Sequence, residues 1–405
     1  MPWRETCPMD ERVGLVMAML RGEESHAELC RRFGVSRKTA YKWLERHRQA
    51  GEPGLMDRSS RPHRFARAIS PEVVRTLLAA REQRGWGPRK IKAWLEAKQP
   101  EVDWPAASTI GSLYDGYGLT RHRRPRRRTP PSAVPLRPCD EPNAVWAADF
   151  KGWVVTGDGV RVDPFTLSDG YSRYLLRCEV VDRPDGDHVW PVLQSAFREY
   201  GLPRALRSDN GPPFASTAAG GLSRLGVLLI KSGVTPERIE PGKPEQNGRH
   251  ERMHLTLKQE TCTPPAATLA DQVERFRTFR EIYNHERPHE ALGQRPPIDR
   301  YKPSPRAYDG KLREPDYPRE ALVRRVRTNG TIKWRGELLF VSSALVGEPI
   351  ALYEVDDQLH ILKYADVTLG KLNGRQGFRP VGAGRSPRTN SAKNEPRKLS
   401  PRSPG

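Results

Sequence analysis

The sequence predicts a multidomain chain: all-α at its N-terminal end, mixed α/β in the middle and all-β towards the C-terminus. Three observations carry this. Helical periodicity with well-placed caps fills residues 10–120, hairpin strands followed by helix and strand begin at Asn143, and five short strand-like runs crowd residues 322–372. A chain of 405 residues accommodates roughly two to four domains. Its 69 Lys+Arg against 49 Asp+Glu, a net charge of +20, point to a polyanionic partner, most simply nucleic acid. No apolar run approaches the roughly 20 residues of a membrane span, and M-P-W-R-E-T lacks the apolar core of a signal peptide, so a cytoplasmic location is expected. The five cysteines, Cys7, Cys30, Cys139, Cys178 and Cys262, contain no C-x-x-C pair, which argues for reduced thiols and against a zinc finger.

From Asp10 to Leu20, Val13, Val16, Met17 and Leu20 recur at helical spacing. Ser25-His26-Ala27-Glu28 is a capping box opening a second helix. Gly34 ends that helix, and Ser36 can cap a third, Arg37 to Arg48, with Ala40, Trp43 and Leu44 facing inward. Helix, capped helix, glycine turn and basic helix make a helix-turn-helix over residues 1–50. Ser36, Arg37, Lys38, Thr39 and Lys42 would then face the major groove of double-stranded DNA. Residues 51–69 have no periodicity and form a basic linker. Ser70-Pro71-Glu72 starts a further helix with Val74, Leu77 and Leu78 inward, and Trp86-Gly87-Pro88 another with Ile91, Trp94 and Leu95 inward. A third runs from about Ala106 to Tyr114. Six arginines and no acid lie between Arg121 and Pro130, among them Arg123, Arg124, Arg126 and Arg127. That block would hold phosphates without reading sequence, within an Arg/Pro-rich linker at 121–142.

From Asn143, Ala144–Val155 reads as a strand, Thr156-Gly157-Asp158-Gly159 as a hairpin turn, and Val162–Leu167 and Tyr174–Val181 as further strands. An amphipathic helix, His188–Tyr200, precedes a strand at Ala205–Ser208. Asp149 sits inside the first strand, where a buried charge is costly unless paired or bound to metal. Asp209 follows a strand and precedes Asn210-Gly211-Pro212-Pro213, the strand-end position where open α/β sheets place their sites. Pro241 to Glu260 is a Gly/Pro-rich loop opening into a polar helix, and two signatures share it. His250-Glu251-Arg252-Met253-His254 matches the H-E-x-x-H zinc-peptidase pattern, for which His285, His289, Glu274 or Glu281 could be a third ligand. Alternatively, Glu251 joins Asp149 and Asp209 as the third of three carboxylates holding divalent metal. Residues 301–320 read as a linker. Leu322–Thr328, Thr331–Val341, Ile350–Val355, Gln358–Tyr364 and Thr368–Leu372 read as strands of a small SH3-like barrel over 321–373, and 374–405 as a disordered basic tail.

W-A-A-D-F (Trp146–Phe150), S-D-G-Y-S-R (Ser168–Arg173), S-D-N-G-P-P-F (Ser208–Phe214), P-E-Q-N-G-R-H-E-R (Pro244–Arg252) and Y-N-H-E-R-P-H-E-A-L (Tyr283–Leu292) stand in this order. Together they resemble the integrase-core (DDE) transposases of bacterial insertion sequences, relatives of retroviral integrases. The resemblance implies a ribonuclease-H-like α/β catalytic core at 143–300, a second helix-turn-helix at 70–120 with Arg89 and Lys90 at DNA, and the C-terminal SH3-like β-barrel. It also implies that Asp149 bridges two Mg²⁺ ions, for which Mn²⁺ can substitute, while Asp209 and Glu251 each complete one site. Water would attack in end cleavage and the freed 3′-hydroxyl in strand transfer. His254 and Lys258 would hold the DNA end near the metals. The helix-turn-helix modules would bind the terminal inverted repeats, and a homo-oligomer would hold two ends in a bacterial-type, nucleoid-associated setting.

The aspartates are separated by 59 residues, and Asp209 and Glu251 by 41. An insertion at Ala215–Leu222 would absorb the long second interval. Glu245 and Glu260 are rivals to Glu251, which is preferred because it follows Asn247-Gly248 as in the family. Unlike retroviral integrases, the chain has no N-terminal His/Cys zinc motif. The competing readings are a DNA-binding regulator with an inactive core and, more remotely, the zinc peptidase.

Overall fold

Three short helices build the first of two compact units, Met1–Pro71, in the computed structural model, which describes residues 7–58, 69–120, 136–240, 243–356, 358–373 and 377–381. Helix α1 (Pro8–Arg21), α2 (His26–Arg32) and α3 (Arg37–Ala50) enclose Leu15, Val16, Met19, Leu29, Ala40, Trp43 and Leu44. The capping box forms as expected. Ser25 N–H donates to Glu28 Oε2 at 3.1 Å, and Glu28 N–H to Ser25 Oγ at 3.3 Å. Two details differ from the sequence reading. The inward face of α1 carries Leu15 and Met19, while Met17 and Leu20 are exposed. Apolar residues occupy nearly every side of V-G-L-V-M-A-M-L, so periodicity alone did not select the face. The module also runs past residue 50: a 3₁₀ turn, Glu52–Leu55, buries Leu55 completely, and Arg12 Nη1 donates to Leu55 O at 2.9 Å.

The second unit, Glu72–Gly405, begins with α4 (Pro71–Arg84), α5 (Pro88–Lys98) and α6 (Ala107–Gly116). They pack around Leu77, Trp86, Ile91, Trp94, Trp104, Ile110 and Tyr114. Ile282 packs against this cluster, and Arg84 meets Glu286 at 2.6 Å, so these helices are seated on the following domain.

That domain is a mixed sheet with helices on both faces. Its strands are β1 (Val145–Phe150), β4 (Pro164–Asp169), β5 (Leu175–Val180), β6 (Ala205–Ser208) and β7 (Thr235–Arg238), with a separate small hairpin of β2 (Val154–Val155) and β3 (Arg161–Val162). The order is β5-β4-β1-β6-β7; β1 is antiparallel to β4 and parallel to β6. Period-two alternation assigns the two faces. Trp146 and Ala148 of β1 and Phe165 and Leu167 of β4 enter the core under α7 (Gly186–Tyr200) and α8 (Arg224–Lys231). The other face meets α9 (Gly248–Thr261) and α10 (Leu269–Glu281) through Leu175, Cys178, Met253, Leu257 and Phe276. The expected first strand, Ala144–Val155, thus ends at Phe150. Asp149 is its penultimate residue rather than a mid-strand charge.

The stretch expected as a 301–320 linker is partly a strap on this domain. Tyr301 stacks on Tyr174 with centroids 4.3 Å apart, Ser304 N–H donates to Tyr200 O at 2.8 Å and Leu202 N–H to Arg306 O at 2.7 Å. Beyond it come β8 (Leu322–Arg325), β9 (Thr331–Trp334), β10 (Glu337–Phe340), β11 (Pro349–Asp356), β12 (Leu359–Tyr364), β13 (Val367–Asn373) and β14 (Gly377–Pro380). They form an open antiparallel sheet, β14-β13-β12-β11-β8, and a separate β9–β10 hairpin. The expected SH3-like barrel is therefore not a closed hydrogen-bonded barrel among the described residues. The run Thr331–Val341 splits because Arg335 and Gly336 both take positive φ and turn the chain back. Part of the stretch expected as a disordered tail is ordered, since β14 pairs with β13; residues 382–405 lie outside the described residues.

The interval between Asp209 and Glu251 has a structural use. Ala219 and Leu222 join the core of the C-terminal sheet, Gly220 N–H donates to Val381 O at 2.9 Å, and Arg238 donates to Gly220 O and Gly221 O at 2.9 and 3.3 Å. Among the described residues, no helix is long and apolar enough to cross a membrane. Gly221 has φ +66°, and a Cβ there would lie 1.9 Å from Arg238 Nη1. Gly221→Ala should therefore cost about 2–3 kcal/mol, read as a lowered midpoint in urea unfolding. Gly159→Ala, also at positive φ but in open space, should cost about 1 kcal/mol.

Candidate active site

The site is built on the α9 side of the sheet. Alternation turns Asp149 to the face opposite Trp146 and Ala148, and the β1–β4 register sets it beside Thr166. Helix α9 crosses this face with His250 and His254 one turn apart and buried. Thr166 is the junction. Its hydroxyl donates to Asp149 O at 3.0 Å and lies 2.8 Å from His250 Nε2 and 2.6 Å from His254 Nε2. A threonine has one proton to give, so both histidines donate to Thr166 Oγ1 from Nε2. His250 Nδ1 is then an acceptor, matched by Ser168 Oγ at 2.7 Å. That assignment takes both imidazoles as neutral. Burial enforces this, pushing His254 down to about 3 with help from the Lys151 charge, and His250 well below its ordinary value.

The network seats α9 and thereby carries Glu251, which is exposed beside the inward-facing histidines. Asp209 follows β6, the strand paired to β1, and its Oδ1 accepts the Gly211 N–H at 3.0 Å. Asn210 Nδ2 donates to Ile239 O at 2.6 Å and pins the loop. Burial pushes the Asp149 carboxyl up to about 7, and the charges of Asp209 and Glu251 add to the rise. The fold thus brings the three acids within electrostatic reach of one another. Among the described residues, no group of three His, Cys, Asp or Glu side chains is already placed to hold a metal ion. The three acids supply oxygen donors and an excess of negative charge suited to a hard divalent cation, without forming a closed cage.

The rivals fare differently. Glu260 is ion-paired to Arg287, and the side chain of Glu245 lies outside the described residues. The zinc-peptidase pattern fails structurally, because both ring nitrogens of His250 and Nε2 of His254 are engaged by hydroxyls. His254, expected at the DNA, is turned inward: it bonds Thr166 and its Nδ1 lies 3.9 Å from Asp149 Oδ2. Lys258 is exposed two turns beyond Glu251 on the same side of α9.

Of the other residues expected at DNA, Arg37, Lys38 and Lys42 are exposed on α3. Ser36 Oγ instead caps α3 by accepting Thr39 N–H at 3.2 Å, and lies 2.9 Å from Thr39 Oγ1. Arg89 is exposed and 3.3 Å from Glu290, Lys90 is half-buried, and Arg123, Arg124, Arg126 and Arg127 lie outside the described residues. Sequence reasoning missed Thr166 and Ser168. Their signal was available: P-F-T-L-S-D alternates large apolar with small hydroxyl side chains, one face of which needs a polar partner.

Comparison with known proteins agrees with this architecture. Models described as "Helix-turn-helix domain" and "Homeodomain-like domain" match residues 11–63 and 39–114, and two models described as "Integrase core domain" match 140–244 and 232–297. The "Insertion element IS407 uncharacterized 31.7 kDa protein" of Burkholderia multivorans is 31% identical over 229 residues, 56% of this chain and 79% of that protein. The "Insertion element IS476 uncharacterized 39.2 kDa protein" of Xanthomonas euvesicatoria is 29% identical over 238 residues, 58% of this chain and 65% of that one. Among solved structures, the simian T-cell lymphotropic virus intasome in complex with PP2A regulatory subunit B56 gamma aligns at 14% identity and a TM-score of 0.36, over 72% of this chain and 97% of that one. The fold and these matches define an integrase core preceded by helix-turn-helix modules. The chain belongs to the integrase-core insertion-sequence transposases, relatives of the retroviral integrases.

Two outcomes follow for the site. Because the folded-state pKa of Asp149 lies above the ordinary carboxylate value, the protein loses stability as pH rises from about 4 through about 7. The Tm advantage of Asp149→Asn over the wild type, measured without divalent ions, should grow from near zero at pH 4 to several degrees at pH 8. Thr166→Val keeps the side-chain shape but strands two buried imidazole N–H groups. It should destabilise by about 2–5 kcal/mol in denaturant titrations, against under about 1 kcal/mol for Thr166→Ser.

Proposed function

We propose that the protein is an active DNA transposase whose helix-turn-helix modules bind the terminal inverted repeats of an insertion sequence and whose core cleaves and rejoins strands. The observation that supports this is that Asp209 and Glu251, from distant segments, act electrostatically on buried Asp149 and help raise its carboxyl pKa, an arrangement that costs stability. Asp149, Asp209 and Glu251 would hold two Mg²⁺ ions, for which Mn²⁺ can substitute. Bound there, the ions would neutralise charge on the attacking and leaving oxygens of a phosphodiester.

The chain's own part is positioning. The Thr166 junction holds α9 against β1 and so sets Glu251 relative to Asp149. Lys258, exposed on the Glu251 side of α9, contributes a phosphate contact. Arg37, Lys38 and Lys42 present the basic face of α3 to a groove. Two ends must be joined in one event, so the working form is a homo-oligomer on DNA.

Full-length protein, Mg²⁺ or Mn²⁺ and a duplex carrying the element's end should give nicked and strand-transferred products. Asp149→Asn, Asp209→Asn and Glu251→Gln should each lower that rate at least about a thousandfold while duplex binding persists. Glu260→Gln, at a residue ion-paired to Arg287, should keep cleavage within about tenfold of wild type. Specific binding without nicking by the wild type would instead identify a DNA-binding regulator.

A further inference from the structure

A second concave region lies where α5, the β4–β5 turn, the start of α9 and the segment after α10 meet. Lys90, Arg173, Arg249, Arg252, Arg287 and His289 line a pocket of about 640 Å³. With Arg89 at its edge, six Lys and Arg side chains gather there; among the described residues the carboxylates acting on them are fewer: Glu260 paired to Arg287, Glu290 beside Arg89, and Asp169, whose charge reaches Arg173. The sequence scatters these cations over about 200 positions, so their convergence is a product of the fold.

The pocket is built and under-compensated. Arg173 takes φ +67°, a conformation non-glycine residues rarely adopt, and its N–H is fixed on Asp169 O at 3.0 Å. Among the described residues its buried Nη1 has no hydrogen-bond partner, and neither does His289 Nε2. Arg249 Nη1 is held on Gly170 O at 2.9 Å. Burial and the Arg287 charge push the Lys90 ammonium down to about 8, and burial with the Arg249 charge lowers Arg173. Cations crowded in this way, with donors to spare, are stabilised by an oxyanion. The volume exceeds that of one phosphate and suits a short stretch of nucleic-acid backbone.

We propose that this pocket binds a phosphodiester segment of duplex DNA, tying the α4–α6 module and α9 to the same strand. The proposal rests on the DNA-processing reading above but concerns a contact made by side chains other than the three acids. A phosphate oxyanion could also come from free inorganic phosphate, and the test separates the two.

Full-length wild type, Lys90→Gln, Arg252→Gln and Arg252→Lys are titrated against a fluorescent duplex of arbitrary sequence over a range of NaCl concentrations. Each Gln variant should lower the slope of log K against log salt by about one, and Arg252→Lys should restore it. A wild type that binds no duplex would sink the DNA-processing reading itself. A wild type that binds normally, with unchanged slopes in both Gln variants, would overturn the pocket alone. Millimolar inorganic phosphate raising the Tm of the wild type but not of Arg252→Gln, with slopes unchanged, would also overturn it, making this a small-anion site. Circular dichroism matching the wild type confirms that each variant is folded.

Discussion

A single hydroxyl, that of Thr166, is the joint on which the candidate site turns. It receives two imidazole N–H groups from α9 and gives its own proton to the backbone of β1, so helix and sheet are locked by directional bonds. Apolar packing through Met253 and Leu257 holds α9 down but resists sliding or rotation poorly. Hydrogen bonds between buried groups supply the missing precision, because any shift leaves a donor unsatisfied in a medium with no water to replace it. Both histidines stay neutral for the same reason, and their apparent metal-ligand spacing is spent on structure.

Around that joint the protein accepts instability. Asp149 is three-quarters shielded from solvent and meets two further acids, an arrangement that a stability-driven sequence would discard. The surrounding fold compensates with broad apolar faces on both sides of the sheet: Trp146, Phe165, Leu193 and Phe197 on one, Leu175, Leu257 and Phe276 on the other. The stacked Tyr174–Tyr301 pair fastens the strap that closes one end. Charge convergence recurs with the opposite sign where Lys90, Arg173, Arg249 and Arg252 share a pocket, so an acidic and a basic concentration both lie along α9.

The long interval before α9 ties the candidate site to the C-terminal sheet. Ala219 to Leu222 are anchored by Arg238 on the core side and by Val381 and Leu369 on the other, so the segment is a shared wall between the two layers. Lys231 and Glu348, both largely buried and 2.7 Å apart, reinforce the seam. An inserted segment read by length alone looks like tolerated slack. Here it carries apolar side chains and two glycines at positive φ that close approach requires.

Local chemistry made much of this legible in advance. The Ser25–Glu28 box, the Ser36 cap, the glycine after α2 and the order W-A-A-D-F, S-D-N-G and N-G-R-H-E depend on neighbours a few residues away, so they can be read along a line. Short, polar β7, with Thr235, Pro236, Glu237 and Arg238, gave no such signal, because its pairing to β6 is enforced by the sheet and not by its own pattern. The inward face of α1, the open C-terminal sheet, the role of Thr166 and the gathering of six cations were likewise beyond reach. By itself the sequence determined the N-terminal helices with their caps, the strand-end position of Asp209, and the family to which the chain belongs. Only the tertiary structure decided which side chains share a face, because burial, register and pairing between residues 80 to 200 positions apart are properties of packing and not of spacing.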